Sequence, residues 1–139
     1  MRALIAAGVL LVWAFASEAA SQEAAGVDRP EVWSVAGREV LRIRASVGDM
    51  TPKRRVELLD QRLTDILSEA ETAIGVGDIE MHVHGKTVTI TVLGELLVTV
   101  SQADADANRT TTERLGKTWL SNIRKTVPLL SPRVNRGGA

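Results

Sequence analysis

Few residues in this chain have the types and spacing that chemistry requires. His82 and His84 stand two apart, with Glu80 two further back. On a strand the three would share one face and could chelate a metal weakly. A working site needs a third or fourth ligand from elsewhere, and no other His exists. The residue pattern therefore assigns no metal, and His82 and His84 stay weak candidates. Asp104, Asp106 and Asn108 alternate like the opening of a calcium loop. Such a loop carries Gly at its sixth position and a bidentate Glu at its twelfth, and here those positions are Arg109 and Leu115. The calcium reading fails, and Asp104 and Asp106 are expected to shape a turn and cap a short helical turn. Arg42 and Arg44 project together from one strand face, as a solvated edge guard or as an anion contact. The Thr87, Thr89 and Thr91 row is β-prone and uncharged, a candidate partner surface together with Arg42, Arg44 and Asp104.

The chain has no Cys and no Tyr. Disulfides, thiolate catalysis and thiolate zinc sites are excluded. No nucleophile-elbow or phosphate-loop motif is present, and no carboxylate pair has acid/base spacing. The chain is expected not to be an enzyme, and no cofactor is indicated. A hydrolase built around Asp104 and Asp106 stands as the remaining catalytic reading. The 17 basic and 17 acidic side chains cancel, which leaves no field to attract nucleic acid. Only three Trp and one Phe are available as stacking platforms, so nucleic acid is not an expected partner.

The elements that must position these residues follow from apolar periodicity. Ile79–His84, Thr87–Val92 and Leu96–Val100 alternate with period two and are separated by Gly85 and Gly94 turns. They predict an antiparallel meander with Ile79, Met81, Val83, Val88, Ile90, Val92, Leu96, Val98 and Val100 on its buried face. Upstream, Trp33–Val35 and Val40–Ala45 predict a hairpin, with Leu41, Ile43 and Ala45 on one face and Val40, Arg42 and Arg44 on the other. Whether it joins the meander's sheet is open.

Thr51-Pro52 is a helix start, and Val56, Leu59, Leu63, Ile66, Leu67, Ala70 and Ile74 make one apolar stripe that Gly75 and Gly77 end. Lys53-Arg54-Arg55 falls in the first turn, where the helix dipole disfavours cations; three solvated bases are the expected explanation. Ser101–Arg109 reads as a polar connector. Thr110-Thr-Thr-Glu113 has a capping-box arrangement, followed by Leu115, Trp119, Ile123 and Val127 at four-residue spacing. The expected fold class is α+β: antiparallel strands covered by two amphipathic helices in a two-layer sandwich.

Met1-Arg2, the apolar run Ala3–Ala16 and the small residues of Ala14-Phe-Ala16 or Ser17-Glu-Ala19 form a secretory signal pattern. Fourteen apolar residues fall short of the roughly twenty needed to span a bilayer, so no stable span is expected after cleavage; an anchor and a buried helix are the alternatives. The organisation expected is a signal peptide over 1–20, a tail or linker over 21–31, one domain over 32–130 and a flexible tail over 131–139. The localisation expected is periplasmic or secreted.

Gly37-Arg-Glu-Val-Leu-Arg-Ile43, Gly48, Thr51-Pro52, Arg55, Arg62-Leu63 and Val98-Thr-Val-Ser-Gln-Ala-Asp104-Ala105 together resemble the periplasmic N-terminal domain found in some bacterial small-conductance mechanosensitive channel proteins. The resemblance spans roughly residues 32–127. The sequence holds no counterpart of the channel's transmembrane helices or vestibule, and Thr-Val-Ser-Gln before Asp104 departs from the commoner pattern. What the resemblance implies is a stand-alone exported accessory or sensory domain with a membrane or envelope protein as partner. The alternative is an exported binder of a small anion or metal.

Overall fold

A computed structural model describes residues 29–130. The signal pattern and the 131–139 tail lie outside the described residues. The described part is an α+β fold whose strands divide into two antiparallel sheets. β1 (Glu31–Val35) and β2 (Arg38–Ile43) form a hairpin that is a sheet of its own. β3 (Ile79–His84), β4 (Thr87–Val92) and β5 (Glu95–Val100) form the meander, in the order β3-β4-β5. Between the sheets runs α1 (Pro52–Glu69), and after β5 come α2 (Gln102–Ala107) and α3 (Thr112–Thr126). No helix among the described residues is long and apolar enough to cross a membrane.

One core joins both sheets. Trp33, Val40 and Ile43 of the hairpin and Ile79, Val88, Ile90, Val92, Leu97 and Val100 of the meander are fully buried. Leu59, Leu63 and Ile66 of α1 and Leu115, Trp119 and Ile123 of α3 close over them. α1 packs against β1, β2 and β5, while α3 packs against β2 and the three meander strands. The Trp33 indole N–H donates to Asp60 Oδ1 at 2.7 Å, fixing β1 to α1. α3 approaches the sheet at Gly116, where an added Cβ would lie 2.8 Å from Val88 Cγ1 and 3.1 Å from Met81 Sδ. A side chain at 116 would push the helix off the sheet.

The core differs from the period-two expectation at two β-bulges. Ile90 pairs with Val98 but Thr91 pairs with Leu96, so Leu97 is the extra residue. A bulge changes which residues point inward: Leu97 is buried and Leu96, expected in the core, is 39% exposed. In the hairpin, Trp33 pairs with Leu41 and Ser34 with Glu39, which makes Val40 the extra residue. Val40 is therefore buried rather than sharing the outer face with Arg42 and Arg44. Val83 keeps the parity of Ile79 and Met81 yet is 52% exposed, because the helix layer reaches no further than the α3 start beside it.

The helix boundaries also shift. Thr51 caps α1 by accepting from the Arg54 N–H at 3.3 Å, with Pro52 in the first turn. α1 stops at Glu69, well before Gly75. Ile74 still reaches the core, from the connector rather than the helix, and Gly75 then starts a 3₁₀ turn over Val76–Asp78. The expected polar connector contains α2, whose cap is a reciprocal Ser101/Asp104 box. α3 is capped by Thr111, accepting from Arg114 N–H at 3.2 Å, so the cap lies one residue beyond Thr110. Glu113 then falls one position short of a capping-box partner and pairs with Lys117 instead, at 2.8 Å.

Candidate functional site

The helix-start cations that looked solvated include one that is not. The Arg55 side chain is 11% exposed and meets the fully buried Asp104 carboxylate, 49 residues away. Its Nη1 donates to Oδ1 at 2.6 Å and its Nη2 to Oδ2 at 2.8 Å. The Ser101 N–H and hydroxyl each donate to Oδ2 at 2.9 Å. Nη1 also reaches the Ala45 carbonyl at 2.7 Å. The pair thus ties α1, the loop just after β2 and the α2 cap together. Asp104, a candidate contact residue in the sequence, is closed off from any ligand by these donors, and its role is to hold the junction. A cation placed against the helix dipole was the available signal for Arg55.

Three arginines finish the edges of the meander. Leu93 N–H donates to the Asp78 carbonyl at 2.8 Å. This fixes the antiparallel alternation, so that Glu80, His82 and His84 direct their backbone groups toward β4, while Ile79, Met81 and Val83 direct theirs to the outer edge. Arg124 covers the first of these positions, with Nε and Nη2 donating to the Ile79 carbonyl at 3.0 and 2.7 Å. At the opposite edge Arg62 donates to the Leu97 carbonyl at 3.2 Å and Arg55 to the Thr99 carbonyl at 3.4 Å. At this edge α1 thus supplies donors to two β5 carbonyls. On the β3 edge the Ile79 carbonyl is taken by Arg124, and among the described residues no strand neighbours Met81 and Val83.

The meander's outer face carries the other sequence candidates. His82 pairs with Thr89, His84 with Thr87 and Glu80 with Thr91; Thr89 also pairs with Thr99. Thr87, Thr89 and Thr91 are half-buried, and the two His are exposed. His82 Nε2 lies 3.6 Å from Glu80 and 3.3 Å from the Thr91 hydroxyl, and the two imidazoles stand 6.4 Å apart. Among the described residues no group of three His, Cys, Asp or Glu is placed to hold a metal. Arg42 and Arg44 line a hollow of about 410 Å³ with Asn108, Thr118 and Asn122. Arg42 is already paired with Glu39 at 3.3 Å. The structure therefore does not bring Arg42 and Arg44 together with Asp104 or with the Thr row.

The fold and this geometry define a small α+β domain whose meander has two carbonyls capped by arginine on the β5 edge and one on the β3 edge. Residues 31–128 match the model of the family described as "Domain of unknown function (DUF8459)", and the chain belongs to that family. No curated protein and no solved structure matches it.

Proposed function

We propose that the chain is a non-catalytic, exported accessory domain that takes an extended segment of a membrane or envelope protein onto the β3 edge. The asymmetry of the two meander edges carries this reading. Donors from α1 occupy two β5 carbonyls, whereas among the described residues no strand pairs with the outward groups of Met81 and Val83, beside an uncharged Thr row. An unguarded edge is the natural acceptor for β-strand addition, with main-chain bonds giving affinity and alternate side chains giving selectivity. Among the residues that ordinarily protect an edge, β3 contains no Lys and no Pro, and Glu80 is its one acidic residue. The groups that could do acid–base work support the non-catalytic part. Asp104 is locked to Arg55, Asp60 to Trp33, and both His are exposed. The signal pattern and the resemblance to channel-associated periplasmic domains supply the compartment and the kind of partner.

Crosslinking in intact cells, followed by recovery from the envelope fraction, tests the reading. A recurring membrane or envelope partner is expected with the wild-type chain and is expected to be lost with Val83→Pro. That change removes an outward N–H and is tolerated on edge strands; an unchanged melting profile checks the fold. Arg42→Ala, on the other sheet, should keep the partner. Recovery of the same partner with Val83→Pro, or of no recurring partner, defeats the proposal. An exported protein whose N-terminus is Met1 would remove the cleaved-signal part separately.

A further inference from the structure

A hollow of about 170 Å³ opens between α1, the 44–51 loop and β5, independent of the β3 edge. We propose that it binds a small carboxylate with a short aliphatic tail, the carboxylate seated on Arg62 and the tail between Leu58, Met50 and Val47. Its walls are apolar apart from a few groups: Ile43, Leu59 and Val98 are buried at its base, and Arg55, Arg62, Thr99 and Ser101 supply the polar part. Many convergent apolar walls with few oriented polar groups are the usual make-up of a small-ligand site.

The two cations at the hollow differ in one respect. Arg55 is answered by Asp104, and four of its donated bonds are already made. Among the described residues Arg62 has one acceptor, the Leu97 carbonyl, and no carboxylate partner. A guanidinium has five N–H donors in a fixed fork and favours two parallel bonds to a carboxylate. Arg62 is half-buried, so its uncompensated charge sits against low-dielectric walls where an anion is attracted more strongly than in open water.

The rim supplies the second observation. Val47 and Met50 are joined by two backbone bonds of 3.0 and 3.1 Å, and Gly48 takes the left-handed conformation (φ +57°) that this tight turn requires. The turn holds Val47 at the mouth with 40% of its surface exposed. An apolar side chain fixed at the mouth of an apolar hollow is pre-organised to cover a tail. The volume is close to that of a cavity of about 150 Å³ that holds benzene, which limits the tail to roughly five to seven carbons. The larger hollow near Arg42 and Arg44 lacks this combination: Glu39 answers Arg42, and Arg44 is exposed rather than half-buried.

The test compares hexanoate, hexan-1-ol and acetate on the full chain by amide NMR shifts and thermal shift. Hexanoate is expected to move the Val47, Arg62 and Val98 amides saturably and to raise Tm. Hexan-1-ol, lacking the charge, and acetate, lacking the tail, should each bind at least about tenfold more weakly. Arg62→Gln should weaken hexanoate by about tenfold and leave hexan-1-ol unchanged. Val47→Asp, at the exposed rim, should abolish hexanoate binding by repulsion and covers the case in which the Arg62 variant fails to fold. Equal affinity for hexan-1-ol or acetate, no saturable shift with hexanoate, or unchanged hexanoate affinity in a folded variant overturns the assignment.

Discussion

Asp104→Asn tests the junction on which the domain's assembly rests. The native carboxylate accepts four hydrogen bonds, two from Arg55 and two from Ser101, with no exposed surface of its own. The amide removes the charge and turns one acceptor into a donor aimed at other donors. Arg55 is then left almost buried without a counter-charge, and breaking such a pair costs about 3–5 kcal/mol. A domain of ordinary stability holds about 5–15 kcal/mol in total, so the variant should be largely destabilised but measurable. Urea unfolding followed by Trp fluorescence is the assay, since Trp33 and Trp119 are both buried. A cycle with Arg55→Met and the double variant isolates the pair, and its coupling energy should reach about 2–3 kcal/mol. The double variant should not recover fully, because Ala45 and Thr99 also lose their donor from Arg55. A loss below about 1 kcal/mol for Asp104→Asn, or a coupling below about 0.5 kcal/mol, refutes the buried-pair reasoning.

Two further outcomes follow from particular residues. Leu97→Ala should cost about 2–5 kcal/mol and Leu96→Ala less than about 0.5 kcal/mol in the same urea assay; equal losses would contradict the bulge. The Glu113 carboxyl is held below its ordinary value by its bond to Lys117 and by that residue's charge. The interaction is therefore fully present above the ordinary carboxylate value and fades as pH falls through the lowered one. NMR titration should show the Glu113 midpoint rising in Lys117→Met, and an unmoved midpoint counts against the pairing.

Much of the site was readable only as isolated residues. The Thr row and the His pair were legible because strand parity is strict between bulges. Arg55 gave a sign, a cation against the helix dipole, without saying what it contacts. Arg62 entered only as part of a motif in the family resemblance and Arg124 gave no sign; the role of each depends on which strand edge the helix happens to pass. Asp104 read as a residue that shapes a turn and caps a short helical turn, and its box with Ser101 is such a cap. Its burial follows from a partner 49 residues earlier in the chain.

The sequence by itself determined the element types and most of the core. Period-two and three-to-four-residue spacing fix which faces are apolar, and Thr51-Pro52 with the Gly turns fixes several boundaries through local backbone chemistry. Tertiary packing decided the rest. The hairpin forms a separate sheet, and α1 and α3 each contact both it and the meander. The bulges at Val40 and Leu97 place an extra apolar residue inward, which no strict alternation can anticipate. The arginine donors are distributed unequally over the meander edges, on two β5 carbonyls and one β3 carbonyl. That distribution is a matter of helix placement in three dimensions, where local pattern carries no information.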